Sequence, residues 1–381
     1  MIFAVRQIQE KCREQQLPLQ MAFIDLTKAF DLVSRHSEEG IHLHTRSDGK
    51  LFNLARLKAK TKVRRVLIRE LFFADDAAVV LHSEEHLQQL ISKFTRAYKE
   101  FGLTISIKKT NVMGQGVNSP PSIYIDNKAL DVAENFTYLG TTITNNLSLN
   151  TEIDRRIAKA SAVMSRLNKR VWCNKHLIIN TKLKVYQACV LSILLYGAES
   201  WTTYGTQETR LESFHLRNLR RILGIRWQDK VTNTVVLKRA KSPSLHMLLS
   251  QRRLRWLGHV HRMRDGRIPK DILYGEIAAG RRPAGRPSLR FKDVWKRDMK
   301  QTNIDKTSWG DKASIRSTWK SQVKEGIKKG EKKRLKHLAE KRARRKQRET
   351  TEPAQPTEHL CEICEKDCKS RIGLISHRRR H

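Results

Sequence analysis

Residues 71–80 read LFFADDAAVV, with two adjacent carboxylates, Asp75 and Asp76, inside a run of apolar side chains. Burying one ionised carboxylate without a partner is expensive, and a second like charge beside it raises the cost. A turn carrying an Asp pair is one explanation. The other is a metal cluster. MAFIDL (21–26) reads as a strand holding Asp25, and VRRVLIRELFFADDAAVVLHS (63–83) as two strand-like arms folding back near the carboxylates. If these strands are neighbours, Asp25 and Asp75 meet. Phosphoryl transfer between nucleotides uses two divalent metals roughly 3.5–4 Å apart. Hard magnesium ions favour carboxylate oxygens and offset their mutual repulsion.

Working outward, EEHLQQLISKFTRAYKEFG (84–102) places Leu87, Leu90, Ile91, Phe94 and Tyr98 on one helical face and closes on Gly102. Residues 1–16 read as a helix, and TISI (104–107), SIYI (122–125) and FTYLGTTI (136–143) as short strands. From Thr151 the period turns helical through Ile153, Ile157, Ala160, Met164 and Leu167, and 181–201 reads as a more buried helix. RRLRWLGHVHRMRDGR (252–267) and GRRPAGRPSLRFKD (280–293) are basic with interleaved aromatics. Lys324–Glu349 holds thirteen Lys/Arg against four Glu, the composition of a solvated helix or a disordered basic arm. TEPAQPTE (351–358) is a linker by composition.

The chain of 381 residues carries 76 Lys+Arg against 38 Asp+Glu, a net charge of +38. That excess exceeds what solubility asks for and points to a polyanionic partner, nucleic acid ahead of a membrane surface. Cys12, Cys173 and Cys189 are scattered, while Cys361, Cys364 and Cys368 crowd the C-terminus, unlike a secreted disulfide scaffold. No signal peptide opens the chain, and the apolar stretch 188–198 is too short to span a bilayer. The expected location is intracellular, the nucleus ahead of the cytoplasm.

AFIDLTKAFD (22–31), followed downstream by FADD (73–76), resembles the palm motifs of non-LTR (LINE-like) retrotransposon reverse transcriptases. The resemblance continues in order through FGLTISIKKT (101–110), similar to a fourth palm motif, and FTYLG (136–140), similar to a primer grip. KLKVYQACVLSILLYGAESW (182–201) resembles the thumb; RWQDK (226–230), RWLGHVHRM (255–263) and DILYGE (271–276) resemble the C-terminal extension. It implies that Asp25 and Asp75 hold metal ions with Asp76 beside them, and that Phe30 screens the sugar 2′ position. Lys109 would protonate the leaving pyrophosphate, and Tyr138–Gly140 would touch the primer end. Magnesium is the implied cofactor if the site is competent.

One motif is missing. The family places a Gly-Gln-Gly loop, then Ser-Pro and a helix, between the two carboxylate strands, to hold template and incoming nucleotide. Nothing between Asp31 and Phe73 matches it, and the change at Arg35–Ser37 reads as a deletion junction. GQGVNSP (114–120) is a lookalike on the wrong side of FADD, leading into a strand. The family's fingers segment and endonuclease domain also have no counterpart in these residues.

CEICEKDCKSRIGLISHRRRH (361–381) spaces Cys361, Cys364, His377 and His381 as C-x2-C-x12-H-x3-H and resembles a two-Cys, two-His zinc finger. Cys368 stands where that family usually has an aromatic core residue. Lys369, Ser370, Ile372 and Ile375 would face a major groove, a poor set for base readout. Arg371 and Arg378, Arg379 and Arg380 suit phosphate, as do Arg281, Arg282 and Arg286 of the Gly/Arg segment. His259 and His261 read as structural histidines.

The expected fold is α+β: a partial reverse-transcriptase palm over 1–147, a helical thumb-like region over 148–225, and a retroelement extension over 226–320. A basic arm and linker over 321–358 and a small ββα zinc finger over 359–381 follow. The expected function is a retrotransposon RNA-directed DNA polymerase remnant, inactive or impaired, that binds zinc and RNA or DNA mainly through phosphates. The alternative is a non-enzymatic nucleic-acid-binding zinc-finger protein.

Overall fold

A strand covered on both faces loses its polar alternation, which is why AAVVL is apolar throughout. The computed structural model describes residues 1–25, 39–46, 51, 54–59, 61–74, 76–100, 105–278, 285, 287–351, 359–368, 370–379 and 381. Its strands are β1 (Leu19–Asp25), β2 (Ile41–Thr45), β3 (Arg64–Ile68), β4 (Glu70–Phe73), β5 (Asp76–Leu81), β6 (Asn111–Gln115), β7 (Tyr124–Ile125), β8 (Lys128–Ala129), β9 (Asp131–Val132), β10 (Asn135–Tyr138), β11 (Thr141–Thr144) and β12 (Glu276–Ile277). The main sheet has the order β4-β5-β1-β6-β9, with β1 central and antiparallel to both neighbours.

Helix α1 (Ile2–Glu14) covers one face. Its Val5, Ile8 and Cys12 join Met21, Phe23, Ala78 and Val80 in one buried cluster. Helix α2 (Glu84–Glu100) covers the other, packing Leu87, Ile91 and Phe94 with Ala22, Ile24, Ala77 and Val79. With both faces apolar, hydrophobic pattern alone leaves register open. The carboxylate end closes that freedom, since a slip drawing Asp76 inward would bury a charge among alanines and valines.

The stretch expected to form two arms forms three strands. β4 and β5 make a hairpin, while β3 leaves the main sheet and pairs with β2 in a second sheet ordered β12-β2-β3. Arg69, buried at the junction, is paired with Glu70 at 2.7 Å. FTYLGTTI likewise divides into β10 and β11, because Leu139 and Gly140 both take positive φ (47° and 73°) and form a two-residue hairpin turn. In place of the expected strand at 104–107, Ile105 makes a single bridge and Ile107–Lys109 a 3-10 turn.

The helical part comprises α3 (Asn150–Arg166), α4 (Ile179–Val185), α5 (Ser192–Leu194), α6 (Gly205–Leu223), α7 (Asn233–Arg239), α8 (Leu245–His261), α9 (Ile268–Tyr274), α10 (Phe291–Gln301), α11 (Trp309–Ser314) and the start of α12 (Arg316–Thr351). Between α4 and α5 the turns over 186–191 widen to π geometry, and the helix expected to reach residue 201 ends at Leu194. Met1–Gly330 forms one compact unit, and the boundaries expected at 147, 225 and 320 lie within it. Phe3 of α1 meets Trp256, Phe291 and Trp295, and Ile277 of β12 pairs with Leu43 of β2. Glu276 accepts from Lys11 at 2.9 Å and Lys292 at 2.5 Å. Burial alone would raise its pKa, but these two ammonium groups hold it well below the ordinary carboxylate range.

Gly258, inside α8, marks a close approach. The Trp319 indole lies over it and donates from Nε1 to the Leu254 carbonyl at 2.9 Å. A Cβ at position 258 would meet Trp319 Nε1 at 2.2 Å. Replacing a mid-helix glycine by alanine normally stabilises by about 0.5–1 kcal/mol. Overpacking here costs about 1–3 kcal/mol and wins. Gly258→Ala should therefore lower the urea midpoint; an unchanged or higher midpoint would contradict this packing.

The second unit, Glu331–His381, contains the remainder of α12 and the C-terminal segment with α13 (Arg371–Arg378). Residues 336–347 of α12 are all exposed, as expected of a helix polar all round. Of the two forms expected for the basic arm, helix is the one observed. No helix among the described residues is long and apolar enough to cross a membrane.

Candidate functional site

At one end of the main sheet β1 stops at Asp25, whose register partner is Asp76, the first residue of β5. Phe73 pairs with Asp76 across the β4–β5 hairpin, leaving only positions 74 and 75 between the strands. Asp75 lies outside the described residues, and Asp25 is placed by its backbone alone. β6 starts at Asn111 opposite Phe23, so Lys109, two residues earlier and exposed, belongs to the same sheet end as Asp25 and Asp76.

Tyr138 is a core residue in this arrangement. It is 1% exposed, packs beside Phe23, and donates its hydroxyl to the Leu71 carbonyl at 3.2 Å. Burial first, then the nearby Asp76 charge, raise the hydroxyl pKa well above its ordinary value. The side chain offers no open surface to a primer here. Gly140 is exposed, but its carbonyl accepts from Arg156, whose guanidinium also lies over the Tyr196 ring. Phe30 and Arg281, Arg282 and Arg286 lie outside the described residues. The GQGVNSP lookalike has Gly114 and Gln115 in β6, with Gly116 turning at φ 64°.

The C-terminal segment brings its four expected ligands together. Cys361 and Cys364 sit on a turn where the Cys361 N–H donates to the Lys366 carbonyl at 3.0 Å and Leu360 bridges Asp367. His377 comes from α13, which Ser370 caps by accepting from the Gly373 N–H at 3.1 Å. One donor atom from each of Cys361, Cys364, His377 and His381 lies within 4.8 Å of the others. Cys364 Sγ is 3.0 Å from His377 Nε2, which is 3.2 Å from His381 Nε2. Zinc bond lengths place tetrahedral ligands about 3.3–3.8 Å apart, so the set fits zinc with small adjustments. Backbone N–H groups of Ile363 and Cys364 lower the Cys361 thiol pKa, which favours the thiolate a metal needs.

Cys368 stands outside this group, its Sγ 3.5 Å from the Lys366 carbonyl. Among the expected phosphate contacts, Arg371 and Arg379 are exposed, Arg378 is paired with Glu362 at 2.7 Å, and Arg380 lies outside the described residues. Lys369 does too. Ile372 and Ile375 are exposed, while the Ser370 hydroxyl is engaged in the helix cap.

The chain is 25% identical over 272 residues to an uncharacterized transposon-derived protein of Caenorhabditis elegans. The similarity is to a transposon-derived protein. The match covers 68% of this chain and 95% of that relative. No family model matches the chain.

His261 is occupied structurally: its Nδ1 is 2.7 Å from the Tyr274 hydroxyl, and its ring packs on Trp309. Other residues of the same stretch line an open groove. Arg252, Arg255, Trp256 and His259 recur at 3, 1 and 3 along α8 and share one face. That spacing was the signal available for finding them.

Proposed function

We propose that this chain is a nucleic-acid-binding protein derived from a retrotransposon RNA-directed DNA polymerase, with an incomplete polymerising site and a zinc-binding C-terminal finger. The observation that carries this reading is the register of β1 against β5, with Asp25 opposite Asp76. A carboxylate pair at adjacent strand ends is what two-metal phosphoryl transfer requires, and similarity to a transposon-derived protein supports the same origin. In this reading Asp25, Asp75 and Asp76 would hold divalent metal and Lys109 would face the leaving group. The net charge of +38 supports phosphate binding and a nuclear place of action.

The polymerising site is incomplete because of what lies between its carboxylate strands. The described residues of that interval form β2, a 3-10 turn over Leu54–Lys58, β3 and the hairpin strand β4, and β2 takes β12 as its other neighbour. Among the described residues of the interval no α-helix seats template and nucleotide, and β2 is committed to a strand of the C-terminal region instead. Positioning supplies about 7–11 kcal/mol of a typical barrier, so bound metal without seated substrate gives almost no turnover. Primer extension on poly(rA)–oligo(dT) with magnesium should show no incorporation above a metal-free control. Incorporation abolished by Asp75→Ala would establish a working polymerase instead. Binding of the same template, weakening steeply as salt rises, is expected in either case.

A further inference from the structure

Helix α8 divides its arginines between two faces. Ser250, Arg253, Leu254 and Leu257 are buried. Arg252, Arg255, Trp256 and His259 line an open groove of about 700 Å³, whose opposite wall runs from Gln187 to Glu199. Leu191 and Leu195 give that wall apolar surface. Trp256 and His259 lie with ring centroids 5.4 Å apart, tilted by 45°. Among the described residues, Trp256 Nε1 is buried without a hydrogen-bond partner.

The charges in the groove are not balanced internally. Burial lowers the Arg252 pKa, Glu199 acts against that, and Arg255 lowers it further. Glu199 is the one carboxylate among the described residues lining the groove, set against two guanidinium groups. A concave site with unbalanced guanidinium charge and aromatic surface matches a ligand that alternates phosphates with flat rings. A duplex hides its ring faces inside its own stack; an unpaired strand presents them.

We propose that this groove holds unpaired nucleotides of a single-stranded nucleic acid, with phosphates on Arg252 and Arg255 and a base against Trp256 and His259. The inference rests on the reading of the chain as a nucleic-acid-binding protein and adds the strand state and the site. Glu199 would then weaken binding by repelling phosphate, so its removal should strengthen it.

The test uses the full chain and fluorescent oligo(dT), measured by anisotropy across a salt series, against a duplex of equal length and against dTMP as competitor. Wild type should favour the single strand over the duplex by about tenfold or more. Arg252→Gln/Arg255→Gln should weaken single-strand binding by about tenfold or more. It should also reduce the salt slope by about 1.4, two phosphates at roughly 0.7 each. Glu199→Gln should tighten binding, a gain that a damaged fold would not produce. Ultraviolet crosslinking should label a peptide within 252–259, and unchanged thermal midpoints would show that the variants fold. Competition by dTMP equal to that of the oligonucleotide would assign the same phosphate-and-base chemistry to a free nucleotide. Wild-type binding with unaltered variants, or equal affinity for duplex, would overturn the groove and leave the general binding reading standing. A wild-type chain that binds no nucleic acid would overturn both.

Discussion

Asp298→Ala should be among the most damaging single substitutions in the helical part of this protein, lowering unfolding free energy by about 3–5 kcal/mol. Asp298 is fully buried on α10 and accepts from Arg253 Nε at 2.6 Å, Arg253 Nη2 at 3.0 Å and Ser250 at 2.7 Å. Arg253, 1% exposed on α8, donates its remaining arm to Thr203 at 3.0 Å and lies 3.5 Å from Glu208. Removing the carboxylate would leave a guanidinium buried with its main counter-charge gone. The cost is that of an uncompensated buried charge rather than of a lost hydrogen bond. Arg253→Met/Asp298→Leu should cost far less than either single change, because no charge is then stranded. Urea denaturation of the four proteins in this cycle provides the measurement. A loss below about 1 kcal/mol for Asp298→Ala would refute the argument.

The same network predicts a pH response. Burial would raise the Glu208 pKa, but His246, Arg253 and Arg297 outweigh it and hold the carboxyl at about 2 against an ordinary 4.5. A depressed folded pKa means that this contribution is complete above pH 4.5 and is lost as pH falls from there towards 2. Glu208→Gln should flatten that part of the stability profile.

Zinc binding should produce the largest effect in the C-terminal unit. Structural zinc sites of this composition contribute about 10–16 kcal/mol of apparent binding free energy, and that binding is coupled to local folding. The small apolar content explains the dependence. Among the described residues from His359 to His381 Cys361 alone is buried, while Leu360, Ile363, Ile372 and Ile375 are exposed. The full chain should bind one equivalent of zinc, and cobalt in its place should give the visible spectrum of a tetrahedral two-sulfur, two-nitrogen site. Cys364→Ala or His377→Ala should abolish both signals and expose 359–381 to rapid hydrogen exchange. Cys368→Ser should retain both. Zinc uptake that depended on Cys368 would mean that the ligand set is wrong.

The parts of this molecule that could be read from residues alone are those whose partners are near in sequence. Leu87, Leu90, Ile91, Phe94 and Tyr98 announce the buried face of α2 because a helix repeats every 3.6 residues. Cys361, Cys364, His377 and His381 lie within 21 residues, so spacing alone brought them together as a candidate metal set. The FADD hairpin is local in the same sense, and its approach to Asp25 needed only that two apolar strands be neighbours.

Features with distant partners were harder to read. FTYLGTTI looks continuous until Leu139 and Gly140 take positive φ. Tyr138 resembles a primer contact until its hydroxyl is found under the Leu71 carbonyl. In RRLRWLGHVHRM helical spacing sets Arg253 apart from the face of Arg252 and Arg255, but nothing local says which of the two faces is buried. By itself the sequence determined the charge, the carboxylate motif, the Cys/His spacing and the helix that carries these arginines. Only the tertiary structure decided which arginine is buried and which face a groove. The groups that hold Arg253 are the Thr203 hydroxyl, fifty residues before it, and the Asp298 carboxylate, forty-five after it, and no helical period reports a partner at that distance.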